Sequence, residues 1–282
     1  TLIPLMKDSG KVSFNGLVTA TGMSAQSVAK KFDFNYCASN YKEILNDKND
    51  VVAITTRHDT HSKAICDALA ANKNVYVEKP LALSISELED INKAYTDNAK
   101  SQIMVGFNRR FAPSTNEIIQ HFESVKSPLV INIRVNAGFI PADHWTQDAQ
   151  EGGGRMIGEG CHFIDLASAI TKSNVKTIYA VGSSKEEKSA LLNDNLCLSL
   201  NFENGSIANI TYTADGSKAM SKEHIEVFGG GRSAQIKDFK EISLFDGDKK
   251  VKDKKLGSQD KGQKSMIDSW LKGIQNGEPC ID

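Results

Sequence analysis

A lysine that directly follows a short apolar segment is the first residue whose type and position suggest chemistry. The segment Asn74–Val77 ends in Val-Tyr-Val, and Glu78, Lys79 and Pro80 come next. In an open α/β sheet, ligands bind outside the carboxyl ends of the strands, so Lys79 is expected to point its ammonium group into that crevice. Pro80 restricts the backbone of Lys79, and an X–Pro bond can be cis. The alternative is an ordinary surface lysine at the start of a loop.

A histidine and an aspartate three residues apart form the second candidate. His162 and Asp165 are predicted to lie on one face of a helix, after the glycines at 152–154. Glycines let a ligand approach the backbone closely, and a histidine can exchange a proton with a hydroxyl group. Asp165 could orient the imidazole or bind a sugar hydroxyl itself. A structural histidine and a capping aspartate remain the alternative.

Three further groups of polar residues are weaker candidates. Arg57 and His61 follow a predicted buried strand at 50–55 and are expected on the crevice side, although His61 could simply begin a helix. Asn108 and Arg109 could clamp a polar substrate or serve a structural role. His144 and Trp145 lie on a long loop, where an aromatic ring beside polar groups suits a sugar but could also be a packing plug. We therefore keep both interpretations for each group.

The elements around these residues change character near residue 108. Before it, strands alternate with helices, which predicts βαβ units and a parallel sheet. After a helix at 113–123, strands follow one another, with hairpin turns at Asn204-Gly205 and Asp246-Gly247. The predicted later strands cover 129–137, 177–183, 195–202, 206–213, 224–229, 233–237 and 241–245, and a last helix covers 264–275. We interpret the mixed-charge run at 248–255 as a solvated edge.

Composition excludes several classes of function. The chain has 282 residues, 40% of them hydrophobic, and a net charge of −1, so nothing favours binding to nucleic acid or to an anionic membrane. No apolar run reaches the roughly 20 residues of a membrane helix, and no signal peptide is evident. Five separate cysteines form no CxxC pair, so we expect no metal site and reduced thiols in the cytoplasm. The chain begins without Met and in mid-pattern, which suggests a fragment of a longer protein.

Three motifs occur together in one order. They are Glu78-Lys-Pro80, Gly106-Phe-Asn-Arg-Arg-Phe111, and the glycines at 152–154 followed by His162 and Asp165. At these residues the chain resembles the Gfo/Idh/MocA family of NAD(P)-dependent sugar and inositol oxidoreductases. The resemblance is close for 51–112 and 129–168, and it is greatest to members that form the last module of longer proteins, behind a zinc-type dehydrogenase module.

The resemblance implies a reaction and a set of site residues. Lys79, His162 and Asp165 match the catalytic motifs of the family, whose members transfer a hydride between NAD or NADP and a sugar carbon that bears a hydroxyl group. The lysine would polarise the oxygen, and the imidazole would exchange the proton. We expect Lys79 and His162 to face each other across one cleft. We expect cofactor contacts from Thr19, Thr21, Thr56, Arg57, His61, Glu78 and Lys79, and substrate contacts from Asn108, Arg109, His144, Trp145 and Arg155.

Four features differ from the family pattern. The Gly-rich turn after the first strand is missing, and Thr19-Ala-Thr21 stands where the family often has an acid for the ribose, which leaves NADP open. Arg57 replaces a proline, and Gly158 replaces an acid four residues before His162. The substrate pocket could therefore differ from that of the familiar sugar dehydrogenases.

The predicted architecture has two domains. Residues 1–108 form a Rossmann-like α/β domain without its first strand, and 109–282 form an α+β domain with a large open, mostly antiparallel sheet. By resemblance, the exposed face of that sheet would pair subunits in a homo-oligomer. Two other functions stay open, namely a non-catalytic sugar-binding or assembly module and glycoside cleavage by transient oxidation.

Overall fold

The computed structural model describes residues 2–19, 22–183 and 194–278. It divides into two compact units, one formed by residues 1–106 and 263–282 and the other by residues 107–262. The last helix, which the sequence pattern assigned to the second domain, thus belongs to the first unit. Among the described residues, no helix is long and apolar enough to span a membrane.

Unit 1 contains the predicted parallel strands with helices between them, which confirms this part of the fold. Its strands form two separate parallel sheets, β1-β2 and β3-β4-β5, rather than one. The strands are β1 (Gly16–Val18), β2 (Tyr36–Ala38), β3 (Val51–Ile54), β4 (Asn74–Val77) and β5 (Ile103–Val105). The helices are α1 (Leu2–Asp8), α2 (Gly22–Phe32), α3 (Tyr41–Leu45), α4 (His61–Ala70), α5 (Ile85–Asp97) and α8 (Gln263–Asn276).

The central strand β4 is the most buried part of unit 1. It pairs with β3 on one side and with β5 on the other, and Val75, Tyr76 and Val77 are each at most 1% exposed. Ile65 and Leu69 of α4 belong to the same apolar core, as the helical periodicity predicts. A strand held by hydrogen bonds and apolar contacts on every side gives a fixed direction to the residues that follow it.

Helix α5 begins at a side-chain cap. Ser84 accepts a hydrogen bond from the backbone N–H of Glu87. The Glu87 carboxylate accepts from the N–H of Leu83, one residue before the cap, so it secures the loop that leads from Pro80 into the helix.

Helix α8 packs on unit 1 through an aromatic pair. The ring of Trp270 lies 5.7 Å from that of Tyr76, and both side chains are buried. Gln102 adds polar contacts by donating to the carbonyl oxygens of Gly273 and Glu278. These contacts explain why the end of the chain joins the first unit.

Unit 2 is built on an eight-stranded sheet with the strand order β13-β12-β11-β10-β6-β9-β8-β7. All neighbouring strands are antiparallel except β6 and β9, which confirms the predicted mostly antiparallel sheet. The strands are β6 (Val130–Asn136), β7 (Val175–Gly182), β8 (Leu196–Phe202), β9 (Ile207–Thr213), β10 (Glu223–Gly229), β11 (Arg232–Lys237), β12 (Glu241–Asp246) and β13 (Lys249–Lys255). Helices α6 (Pro113–Phe122) and α7 (Cys161–Thr171) supply apolar residues to its core.

The sequence pattern at 248–255 predicts an exposed edge but not the strand that the structure contains. It lies at an edge, as expected, but residues 249–255 form the strand β13, whose side chains are almost all exposed. A strand with nothing to bury shows no apolar alternation, so its pattern did not reveal it. Its lysines discourage pairing with a further strand.

We predict that Trp270→Ala lowers the free energy of unfolding by about 3–5 kcal/mol, because the change leaves a large cavity beside Tyr76. Urea unfolding followed by circular dichroism measures this. Leu88→Ala on the exposed side of α5 is the control and should change stability by less than about 0.5 kcal/mol. Equal stability of the two variants would show that α8 contributes little to unit 1.

Candidate active site

Lys79 lies immediately beyond the buried strand β4 and is partly exposed. The Lys79–Pro80 bond is cis. The preceding residue, Glu78, donates its backbone N–H to the carbonyl oxygen of Ile54 at 2.9 Å, so the loop after β4 is tied to the end of β3. The structure therefore puts a lysine at the carboxyl end of parallel strands, where ligands bind in open α/β sheets.

The carboxylate of Glu78 is also fixed. The Tyr76 hydroxyl donates to it at 2.9 Å, and burial together with the nearby carboxylate raises the pKa of Tyr76, so the hydroxyl keeps its proton. A Cβ on Gly106 would lie 2.9 Å from the other oxygen of Glu78. A side chain at Gly106 would therefore force this carboxylate to move.

The predicted cofactor residues of unit 1 lie in different settings. Thr56 and Arg57 follow β3 and are exposed, with the Thr56 hydroxyl 2.5 Å from that of Thr60. Thr19 follows β1 and is partly exposed, whereas Thr21 lies outside the described residues. Thr56, Arg57 and Thr19 stay predictions as cofactor contacts, because they are accessible at the carboxyl ends of strands.

His61 does not have the predicted role. Its side chain is fully buried, and its two ring nitrogens lie 2.8 Å from the carbonyl oxygen of Pro80 and 3.1 Å from that of Thr56. A ring enclosed in this way cannot reach a cofactor. The prediction that His61 binds the cofactor is therefore wrong, since main-chain groups occupy both of its nitrogens.

In unit 2, His162 stands at the start of α7. One π-helical turn, Met156–Gly160, precedes the helix, and such turns often occur at functional sites. The imidazole is 6% exposed, and the ring of Phe107 approaches it edge-on with centroids 6.0 Å apart. This packing fixes the plane of the imidazole.

The glycines before this turn are required by the backbone. Gly153 and Gly154 have φ values of 73° and 77°, which other residues rarely adopt. A Cβ on Gly152 would lie 2.4 Å from the carbonyl oxygen of Trp145. The sequence suggested that these glycines let a ligand approach the backbone. In the structure, the group that approaches Gly152 is the backbone of Trp145.

Asp165 is engaged by an arginine rather than by His162. Its two oxygens accept from Nε and Nη2 of Arg110 at 3.0 and 2.5 Å, and its side chain is largely buried. Burial raises the pKa of Asp165, although the Arg110 guanidinium opposes that shift. The catalytic role of Asp165 stays a prediction, and in the structure its carboxylate ties α7 to the short helix Asn108–Phe111.

Arg109 and Asn108 are structural as well. Arg109 is 5% exposed and donates from Nε and Nη2 to Glu223 at 2.9 and 2.8 Å, and the Nζ of Lys261 lies 2.7 Å from the same carboxylate. Burial alone would raise the pKa of Glu223, but Arg109 and Lys261 lower it to about 2. The amide of Asn108 donates to the carbonyl oxygen of Lys261. The substrate contacts of Arg109 and Asn108 stay predictions, while the structure shows both side chains engaged within unit 2.

Arg155 belongs to a charged network that sequence reasoning missed. Its Nε donates to the Tyr212 hydroxyl, which in turn donates to Glu159 at 2.5 Å, and Lys222 lies 2.6 Å from the other oxygen of Glu159. Burial opposes ionisation of Glu159, yet Lys222, Tyr212 and Arg155 lower its pKa. Arg155 is 5% exposed and engaged in this network, and its substrate contact stays a prediction.

The network of Arg155, Glu159, Tyr212 and Lys222 holds the π-helical turn before His162. Glu159 stands three residues before His162, a spacing that puts both on one side of a helix. That spacing is a usable signal in the sequence, one residue after Gly158, where the resemblance places an acid.

His144 and Trp145 lie nearer the surface than the other predicted substrate contacts. His144 is exposed, its Nδ1 lies 2.8 Å from the Thr146 hydroxyl, and its ring centroid is 5.9 Å from that of Trp145. Both stay predictions as substrate contacts. Within residues 2–19, 22–183 and 194–278, no group of three or more His, Cys, Asp or Glu side chains could hold a metal ion.

The Glu223 cluster makes stability depend on pH. The pKa of Glu223 is about 2 in the folded chain and 4.5 by default, so its contribution is complete above pH 4.5 and is lost as the pH falls toward 2. Glu223→Gln leaves the buried Arg109 and the partly buried Lys261 without a carboxylate, which should cost about 3–5 kcal/mol at pH 7. Urea unfolding at several pH values measures both effects.

The matched control is Glu226→Gln on the same strand, where the side chain is partly exposed. It should change stability by less than about 1 kcal/mol. If Glu223→Gln behaves like this control, the buried cluster does not stabilise unit 2.

Comparison with known proteins identifies the family. Residues 2–107 match the family described as "Oxidoreductase family, NAD-binding Rossmann fold", and residues 127–234 match the "GFO/IDH/MocA C-terminal domain". The chain is 28% identical over 215 residues to an uncharacterized oxidoreductase, YrbE, of Bacillus subtilis, covering 74% of this chain and 62% of that protein. It is 32% identical over 144 residues to inositol 2-dehydrogenase of Salmonella typhimurium, covering 50% of this chain and 41% of that protein. The chain thus spans less than two thirds of the length of these relatives.

Solved structures show the same fold. An oxidoreductase domain protein from Kribbella flavida superposes with a TM-score of 0.85 at 18% identity, covering 99% of this chain and 87% of that chain. Levoglucosan dehydrogenase in complex with NADH and levoglucosan gives a TM-score of 0.81 at 19% identity, covering 94% and 81%. Because both domain families match in the expected order, the chain belongs to the GFO/IDH/MocA family of oxidoreductases.

Proposed function

We propose that this protein is an NAD(P)-dependent oxidoreductase that transfers a hydride between the nicotinamide and a hydroxyl-bearing carbon of a sugar, sugar nucleotide or polyol. The observation that carries the proposal is the position of Lys79. Its loop follows a fully buried strand in a unit of the NAD-binding Rossmann family, and Glu78 is fixed immediately before it. Membership of the family supports the reaction type.

The residues at the crevice fit a dinucleotide. Thr56 and Arg57 offer hydroxyl and guanidinium donors at the exposed end of β3, and Lys79 adds a further cation. Thr19, Thr56, Arg57 and Glu78 would hold the ribose and phosphate groups. Thr19 is neutral, so this position contains no acid that would discriminate against the 2′-phosphate of NADP.

Two side chains would carry the chemistry. During oxidation, the ammonium of Lys79 would stabilise the negative charge that develops on the substrate oxygen. His162 would accept the hydroxyl proton, and it would return that proton in the reverse direction. A bound nicotinamide supplies the hydride acceptor, so the chain itself provides orientation and proton transfer.

The substrate class follows from the relatives and from what remains accessible. The named relatives act on inositol or bind levoglucosan, which are both polyhydroxylated rings. With Arg109, Arg155 and Asn108 engaged inside unit 2, His144 and Trp145 are the predicted substrate contacts that stay accessible. The aromatic side chain of Trp145 suits the apolar face of a polyhydroxylated substrate, and the polar His144 suits its hydroxyl groups.

A non-catalytic sugar-binding module is the second candidate. It is favoured by the neutral Thr19 at the end of β1, where the family often has an acid for the ribose. Fluorescence titration with NADH and NADPH separates the candidates, because the module requires binding of neither cofactor.

The central test is Lys79→Ala in the full-length protein, assayed with myo-inositol and with levoglucosan in the presence of NAD or NADP. We expect kcat to fall by about 100- to 1000-fold, since one group that stabilises the developing oxyanion is lost. The dissociation constant for NADH should stay nearly the same. Lys93→Ala, an exposed lysine on α5, is the matched control and should keep full activity. Unchanged turnover in Lys79→Ala would exclude the assigned role.

We further propose a homo-oligomer that forms through the exposed face of the eight-stranded sheet. This face carries alternate residues of the strands, among them Asn132, Ser199 and Asn209, which are exposed. Analytical ultracentrifugation at micromolar concentration should give at least twice the mass of the chain. A monomer at that concentration would contradict this proposal.

A further inference from the structure

His61 connects two loops at the crevice end of unit 1. It is the first residue of α4, and its side chain is 0% exposed. Its Nδ1 lies 2.8 Å from the carbonyl oxygen of Pro80, in the loop after β4. Its Nε2 lies 3.1 Å from the carbonyl oxygen of Thr56, in the loop after β3. One imidazole therefore contacts the main chain of both loops that frame the crevice.

The two contacts are not equivalent. A carbonyl oxygen only accepts hydrogen bonds, and a neutral imidazole has a single N–H to donate. The shorter contact is the one from Nδ1 to Pro80, so we assign the proton to Nδ1. Nε2 then only packs against the carbonyl group of Thr56.

The Pro80 contact fixes the main chain after Lys79, and a second hydrogen bond fixes the main chain before it. On one side, the N–H of Glu78 donates to Ile54 at 2.9 Å. On the other side, the nitrogen of Pro80 has no hydrogen, so the carbonyl of Pro80 is the next main-chain group that can be held. That group receives the hydrogen bond from His61. The main chain on both sides of Lys79 is thus fixed by buried partners.

We propose that His61 is a positioning residue for Lys79, and that its Nδ1–H holds the Pro80 carbonyl and so sets the direction of the ammonium. His61 acts through the loop and does not touch substrate or cofactor. The kinetic part of the test rests on the proposed oxidoreductase activity, whereas the assignment of the proton does not.

Two substitutions separate the two nitrogens. The amide nitrogen of asparagine can occupy the place of Nδ1, and that of glutamine can occupy the place of Nε2. In the full-length protein, His61→Gln should lower kcat by about 100-fold, because a displacement of about 1 Å at the reacting group has that effect. His61→Asn should keep kcat within about threefold of the parent, and neither variant should change the dissociation constant for NADH by more than about threefold.

A role in folding alone would not distinguish the two variants in this order. Equal losses of kcat in both, or a larger loss in His61→Asn, would overturn the proposal. Ser62→Ala is the control in the same turn of α4. Its hydroxyl is buried, lies 3.5 Å from the carbonyl oxygen of Glu87 and contacts the Cys66 thiol, away from both loops, so kcat should stay unchanged.

A second measurement requires no turnover. In protein labelled with 15N-histidine, the His61 signals, assigned by their loss in His61→Asn, should show a hydrogen on Nδ1 and none on Nε2. In protein with 13C-methylated lysines, the Lys79 signal, assigned with Lys79→Arg, should move in His61→Gln and keep its place in His61→Asn. A hydrogen on Nε2 alone would overturn the proposal. A Lys79 chemical shift that is the same in both variants as in the parent would also overturn it. Because these signals exist without substrate, an inactive parent protein would reject the proposed function and leave this test intact.

Discussion

The burial of β4 on every side is the constraint on which the placement of Lys79 depends. Hydrogen bonds to β3 and β5 fix the strand within its sheet, and Val75 and Val77 are completely buried. Tyr76 then uses its hydroxyl to hold Glu78, whose carboxylate would have to move if Gly106 carried a side chain. The main chain that carries the flexible Lys79 side chain is thereby held in place. Electrostatic stabilisation of a developing charge requires such a fixed position.

Buried charges in unit 2 serve the scaffold rather than the substrate. A charge removed from water must be paired, and three arginines of unit 2 meet this condition with a carboxylate inside the same unit. Arg109 pairs with Glu223, Arg110 pairs with Asp165, and Arg155 is linked to Glu159. These pairs hold the segments on both sides of His162, so the imidazole is presented on a rigid support.

Local patterns in the sequence predicted the local structure well. The apolar run at β4, the cap at Ser84 and the hairpin at Asn204-Gly205, where Gly205 has φ of 83°, each depend on neighbouring residues only. The same holds for the position of Lys79, because the end of a strand and a following proline are visible in the sequence.

Pairings between distant residues were not predictable in this way. Arg109 and Glu223 are 114 residues apart, and Arg110 and Asp165 are 55 apart, so no local spacing indicates that they meet. A buried arginine and a substrate-binding arginine look identical in sequence. The two roles differ only in whether folding brings a carboxylate to the guanidinium, and that depends on the tertiary structure.

The proposed function requires that Lys79 and His162 serve the same reaction. A kinetic double-mutant cycle in the full-length protein, with Lys79→Ala, His162→Ala and the double variant, tests it most directly. Residues that act as a unit on one transition state show strongly non-additive effects, so the double variant should lose little more kcat/KM than the worse single variant. If the loss of kcat/KM in the double variant equals the product of the two single losses, the two residues act independently. That result would contradict the account.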